Sequence, residues 1–199
     1  MKIKICGLFR EEDAVYVNEA EPDYAGFVFA KSKRRVDFDT ARKLRSMLKP
    51  KIIPVGVFVN EAIGVIKELY FEGIISIAQL HGEEDDTYIA KVKAYGIPVI
   101  KAMRIGSKAP QTDLAAAAAD FLLFDSGSGS GIRFDWNLLS RLSVETMRRV
   151  FLAGGVDKDN IGDAVLLKPY CVDVSSGVES GGFKDREKIR LLVERARKS

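Results

Sequence analysis

Eight short apolar runs alternate with amphipathic, helix-like stretches along the 199-residue chain, and this alternation predicts an α/β fold closed as a (β/α)8 TIM barrel. Two further observations favour closure over an open, doubly wound sheet. The runs are rich in Val, Ile and Phe and mostly continuous in hydrophobicity, as parallel strands covered by helices require. The first of them leads into "CGLFREED", which lacks the G-x-G-x-x-G turn of a dinucleotide-binding sheet.

The strands are expected at Lys2–Cys6, Tyr24–Phe29, Ile53–Phe58, Ile75–Leu80, Pro98–Ala102, Phe121–Asp125, Val150–Ala153 and Cys171–Val174. Helical periodicity falls between and after them, at Glu11–Ala20, Phe38–Leu48, Glu61–Phe71, Glu84–Tyr95, Trp136–Leu142, Asp159–Leu167 and Asp185–Lys198. Asp37 before "FDTARKL" and Asn60 before "EAIGVIKEL" read as helix caps. The fifth connection, "RIGSKAPQTDLAAAAA", breaks the pattern, so the fifth helix is expected to be short or irregular. No linker, low-complexity tract or block of like charge divides the chain, and a single barrel domain over residues 1–199 with short loops is expected.

Composition narrows the functional classes. With 47% hydrophobic and 30% charged residues the chain reads as globular. No apolar run approaches the ~20 residues that cross a bilayer, so no membrane partner is expected. The net charge of +3 is too small, and the basic residues too interspersed with acidic ones, to indicate nucleic acid, whereas a small anionic ligand is compatible with it. Cys6 and Cys171, the only cysteines, have no metal-binding spacing. The chain opens directly into a strand with no secretory pattern, so free thiols and a cytoplasmic location are expected. The sole histidine, His81, has no ligand partner in sequence, and no metal is expected.

Barrel enzymes carry their chemistry at the carboxyl ends of the strands and in the loops that follow. Those positions hold Cys6, "FAKSKRRV", "FVNE", "QLHG", "KAMR", "FDSGSGSG", "LAGGV" and "DVSSGVES". The glycine- and serine-rich turns after strands 7 and 8 offer backbone N–H groups where barrels often hold phosphate, which nominates Gly154, Gly155, Ser175, Ser176 and Gly177. Asp125 ends the apolar run "FLLFD", where partial desolvation favours a protonated carboxyl suited to general acid work, although capping of the next loop is the simpler use. Cys6, with an ordinary thiol pKa of ~8.5, supplies some thiolate near neutrality and could serve as base or nucleophile, or merely fill the core. Arg34, in the basic run "KSKRR", could clamp a carboxylate in bidentate fashion.

The ordered set "KICG", "GFVF" with S-x-R, "VGVFVN", "QLHGEE", "GSGIRFDW", "LAGGV" and "DVSSGVE" resembles the phosphoribosylanthranilate isomerase family of tryptophan biosynthesis, from the first strand to the last helix. The resemblance implies a cofactor-free Amadori rearrangement of N-(5'-phosphoribosyl)anthranilate to 1-(2-carboxyphenylamino)-1-deoxyribulose 5-phosphate. It implies Cys6 as the general base at C2' and Asp125 as the general acid at the ring oxygen. Arg34 would hold the anthranilate carboxylate, with Arg35 as the neighbouring alternative, Asp173 would lie near the anthranilate amine, and Gln79 would touch the substrate. The two glycine-serine turns would grip the phosphate, and the chain would act as a monomer or a homodimer. A histidine-pathway aminoaldose isomerase is the alternative enzyme, but its relatives use aspartates at the ends of strands 1 and 5, where this chain has Cys6 and "KAM". A non-catalytic phosphate-binding barrel would be expected to lack Cys6 or Asp125, and both are present.

Overall fold

The computed structural model describes residues 1–104, 118–125 and 136–198. Eight parallel strands close into a barrel in sequence order: β1 (Lys2–Cys6), β2 (Tyr24–Val28), β3 (Ile53–Phe58), β4 (Ile77–Leu80), β5 (Val99–Arg104), β6 (Phe121–Asp125), β7 (Val150–Leu152) and β8 (Cys171–Val174). The ring is sealed by β1 against β8, with Lys2 opposite Cys171 and Lys4 opposite Asp173.

Strand alternation divides the side chains into two populations. Ile3, Ile5, Leu122, Phe124 and Val172 point outward into the layer shared with the helices. Tyr24, Val55, Ile77, Ile100, Leu123, Phe151 and Cys171 fill the barrel itself. The base of that interior is aromatic: Phe121 stacks on Tyr170 with centroids 4.8 Å apart, and Tyr24 meets Phe151 edge-on at 5.3 Å. Lys2 is accommodated there because its ammonium donates to Tyr170 Oη (2.7 Å) and lies 4.5 Å from that ring's centroid. Toward the other end of the same strands the interior becomes polar, and this is where the site forms.

The outer layer contains α1 (Glu11–Ala20), α2 (Phe38–Met47), α3 (Ile63–Phe71), α4 (Asp86–Lys93), α5 (Val144–Met147), α6 (Ile161–Leu166) and α7 (Arg186–Arg197). Asp37 caps α2 as expected, accepting from Thr40 N (2.8 Å). Asn60 does not cap α3, whose N-cap is Ala62. Asn60 instead adopts φ +50° and accepts from Glu83 N (2.9 Å), so its side chain joins loop 3 to loop 4. The expected helix at Trp136–Leu142 is a 3-10 helix over Trp136–Arg141, followed by the unanticipated short α5. A two-stranded ribbon, β9 (Glu179–Ser180) and β10 (Phe183–Lys184), precedes α7. The alanine-rich stretch of the fifth connection and the glycine-serine stretch after Asp125 lie outside the described residues.

Candidate active site

The carboxyl ends of the strands surround a cavity of about 550 Å³, within the usual range for a small-molecule site. Cys6, Arg34, Gln79, Asp125 and Asp173 line it, as do Gly154, Gly155, Ser175 and Ser176 of the two phosphate-candidate loops. Gly177 lies behind the lining. A Cβ at that position would fall 1.9 Å from Val156 O, so loop 8 packs backbone to backbone against loop 7 only because residue 177 is glycine.

Local structure explains why a glycine follows Cys6. Gly7 turns the chain with φ +82°, and its N–H and that of Leu8 both donate to Gly26 O (2.9 and 3.0 Å). A Cβ on Gly7 would meet Arg34 Cδ at 2.5 Å, and one on Gly26 would meet Cys6 Sγ at 2.7 Å. The two glycines therefore clear room for the arginine and the thiol that the site presents. Arg35 is elsewhere: it lines a separate groove with Phe29, Val36 and Phe38.

Arg34 is held before any substrate arrives. Its Nε and Nη2 donate to the two oxygens of Glu179 (2.6 and 2.7 Å), a fork-to-fork pair. Glu179 also accepts from the buried Lys184 (2.7 Å), which reaches Ser175 O (3.0 Å), while Ser175 Oγ donates to Cys6 O (3.2 Å). Burial alone would raise the Glu179 carboxyl, but Arg34 and Lys184 outweigh it and hold the group below its ordinary value.

Beneath the cavity runs a second polar chain. Lys4, fully buried, donates to both oxygens of Asp173 (3.0 Å each) and to Gln79 Oε1 (2.9 Å). Burial would strip its proton, yet the Asp173 carboxylate and the Cys6 sulfur keep the ammonium above its ordinary value. The Gln79 amide faces His81 Nδ1 (3.1 Å), and His81 Nε2 lies 3.5 Å from Asp125 Oδ2. Burial pushes the Cys6 thiol above its usual range, Lys4 pulls it back, and Asp173 adds to the upward push. Chemically, the cavity joins a thiol beside a buried cation to a carboxyl on the facing side of the barrel. Its walls also carry Lys31, Arg34 and Arg104, which suit an anionic ligand. Among the described residues no cluster of His, Cys, Asp and Glu could hold a metal ion.

Sequence reasoning named all the cavity residues above except Lys4, Glu179, Lys184, Lys31 and Arg104, and left His81 without a role. For Lys4 a signal existed: two residues before Cys6 on a strand, it must share the barrel interior with the thiol. Glu179 closed the quoted stretch "DVSSGVE", but its pairing with Arg34, 145 residues away, had no local trace.

Comparisons with known proteins bear on the sequence and the fold. The model of the N-(5'-phosphoribosyl)anthranilate (PRA) isomerase family matches residues 3–195. The chain is 52% identical over 200 residues to the N-(5'-phosphoribosyl)anthranilate isomerase of Endomicrobium trichonymphae, covering 97% of this chain and 96% of that one. Phosphoribosyl anthranilate isomerase from Thermus thermophilus superimposes with a TM-score of 0.90 at 35% identity, over 100% of this chain and 99% of that one. A second solved isomerase, in complex with reduced 1-(o-carboxyphenylamino)-1-deoxyribulose 5-phosphate, gives 0.83 at 33% identity over the whole of both chains. With a matching family model across nearly its entire length, the chain belongs to the N-(5'-phosphoribosyl)anthranilate isomerase family.

Proposed function

We propose that the chain converts N-(5'-phosphoribosyl)anthranilate to 1-(2-carboxyphenylamino)-1-deoxyribulose 5-phosphate, the isomerase step of tryptophan biosynthesis. The observation that carries this reading is the convergence of Cys6 and Asp125 on one cavity whose remaining walls supply cations and two glycine-serine turns. The rearrangement opens the furanose ring and shifts bonding along C1'–C2' with proton transfers as its only exchanges with the protein. Asp125 as a carboxylic acid protonates the furanose ring oxygen; the C1'–oxygen bond breaks with its electron pair going to oxygen, and the anthranilate nitrogen forms the Schiff base. Cys6 as thiolate removes the C2' proton, the C–H electrons form the C1'–C2' double bond, and the iminium nitrogen is neutralised. A proton then returns to C1' while the C2' hydroxyl gives up its own, which leaves the ketone at C2' and the proton count unchanged. One group must hold a proton while the other lacks one at the same pH, so their surroundings have to differ. The thiol is adjacent to the buried Lys4 ammonium.

Arg34 is proposed to take the anthranilate carboxylate with the guanidinium edge that Glu179 leaves open, Asp173 to face the amine, and Gln79 to touch the substrate from the floor. Gly154, Gly155, Ser175, Ser176 and Gly177 are proposed as the phosphate grip, the ligand group shared with the substrate analogue bound by the solved relative. The chain is proposed to act as a single barrel domain in the cytoplasm, as a monomer or a homodimer; no helix among the described residues is long and apolar enough to cross a membrane. The histidine-pathway alternative finds no support, since β1 ends in Cys6 and β5 in Arg104 where it needs aspartates.

The test is the loss of anthranilate-type fluorescence when freshly generated phosphoribosylanthranilate meets the pure protein, with Asp125→Asn alongside. Rapid decay with wild type and almost none with the variant supports the reaction and its acid. No acceleration by wild type under reducing conditions would reject it.

A further inference from the structure

The floor of the cavity is a line of hydrogen bonds whose direction is set at one end. Lys4 has three N–H bonds and no acceptor, and its three short contacts are Asp173 Oδ1, Asp173 Oδ2 and Gln79 Oε1. Gln79 is 2% exposed, so turning its amide over would press an NH2 group against a buried ammonium. Its orientation is therefore forced, and Nε2 is the atom facing His81 Nδ1 at 3.1 Å. An amide nitrogen can only donate. Nδ1 must then be the bare acceptor, and the imidazole proton must sit on Nε2, the atom 3.5 Å from Asp125 Oδ2.

We propose that Lys4, acting through Gln79, locks His81 in the tautomer that presents Nε2–H to Asp125, which makes these three side chains positioning residues for the proton-donating carboxyl. The proposal rests on the isomerase reading for its purpose, though not for its geometry. An imidazolium at this distance would favour the carboxylate form of Asp125, beside an Arg104 that is already its register neighbour on β5. The Gln79 N–H aimed at Nδ1 leaves Nε2 as the nitrogen that carries the proton. A single neutral Nε2–H does two things instead. Before the reaction it faces Oδ2 of the protonated carboxyl. After that proton has gone to the ring oxygen of the sugar, the same N–H steadies the carboxylate left behind.

Because His81 is the chain's sole histidine, nitrogen-15 correlation spectra of the full chain report its tautomer without ambiguity. The expected wild-type spectrum at neutral pH has a protonated Nε2 and a bare Nδ1. In Gln79→Glu the carboxylate accepts from Lys4 and can only accept from His81, so the proton should move to Nδ1. An Nδ1–H tautomer or an imidazolium in wild type overturns the proposal, as does an unchanged pattern in Gln79→Glu. Should that variant not fold, the wild-type spectrum decides alone. Turnover supplies the second arm. His81→Ala should lower kcat on the order of tenfold to a hundredfold with KM nearly unchanged, since a hydrogen bond to a charged group is lost. His81→Gln, which keeps an N–H near the Nε2 position, should recover most of it, and equal losses in both variants would count against the donor role. If wild type shows the expected tautomer but no isomerase turnover, the lock stands and the proposed function fails.

Discussion

The two cysteines are both free, both buried and both turned into the barrel, yet they occupy opposite chemical situations. Cys171 opens β8 at the level of Lys2, among Tyr24, Phe151 and the other apolar side chains of the interior. Burial drives its thiol well above the ordinary value, the Asp173 carboxylate pushes the same way against a smaller opposing pull from Lys4, and the thiol donates to Val172 O at 3.5 Å. Cys6 closes β1 at the rim of the cavity. Burial raises that thiol too, but the next influence is the Lys4 ammonium, which favours thiolate. Residue type and burial are the same in the two places. What differs is height in the barrel: Lys4 favours thiolate at both, but at Cys6 it is second only to burial, whereas at Cys171 the Asp173 carboxylate outweighs it, and of the two only Cys6 lines the cavity.

Substitution should break the comparison most sharply. Cys6→Ser is expected to lower kcat by about 10²–10⁴-fold, the usual worth of a positioned acid or base, with affinity for a product analogue nearly intact. Cys171→Ser should leave kcat within about twofold, because its thiol touches no part of the proposed chemistry. Steady-state kinetics with calorimetric binding of the reduced product checks both.

Next in size is the carboxylate clamp. Arg34→Ala should raise KM by about tenfold to a hundredfold, the worth of a hydrogen bond to a charged group, while Arg35→Ala, in its separate groove, should leave KM near wild type. Glu179→Gln should give a smaller rise, since Arg34 remains but loses its anionic partner. A larger KM effect at Arg35 than at Arg34 would place the substrate on the other side of loop 2.

The pH profile sharpens the same contrast. A raised Cys6 thiol means that little thiolate is present at neutral pH, so added base populates the active form. As long as Asp125 keeps its proton, the acid limb of kcat/KM should therefore climb about tenfold per pH unit and flatten only as the thiol titrates. The limb should be unmoved in Cys171→Ser. The same acid limb in the residual activity of Cys6→Ser would remove the thiolate from the mechanism.

Stability effects are the smallest. Gly177→Ala forces a methyl group against Val156 O and should cost about 3 kcal/mol by denaturant titration, loosening loops 7 and 8 together. Cys171→Ser, which buries a hydroxyl among apolar neighbours, should cost about 1 kcal/mol.

Much of this arrangement is legible in the chain itself. The ranges Lys2–Cys6, Ile53–Phe58, Phe121–Asp125 and Cys171–Val174 are the same in sequence and structure, because a buried parallel strand is a short, mostly apolar run that stops where turn residues begin. Two of those ends are Cys6 and Asp125, and Asp173 lies one residue inside a third. The floor of the site was harder to see for a physical reason: Lys4 meets Asp173 across 169 residues and Gln79 across 75, through a ring closure that no local pattern encodes. Asn60 misleads for a similar reason. Its residue type suits a helix cap, but the long-range partner Glu83 N claims its side chain. His81 has no meaning as an isolated histidine and acquires one only when strands β4 and β6 bring Gln79 and Asp125 to either side of its ring.

The difference between the two thiols is tested most directly by alkylating the native chain with iodoacetamide at mildly alkaline pH, mapping the label by mass and following turnover in parallel. The predicted result is label on Cys6 alone, turnover lost in proportion, protection by reduced 1-(o-carboxyphenylamino)-1-deoxyribulose 5-phosphate, and label on Cys171 only after denaturation. Turnover that survives full modification of Cys6, or a loss that follows Cys171, would contradict it.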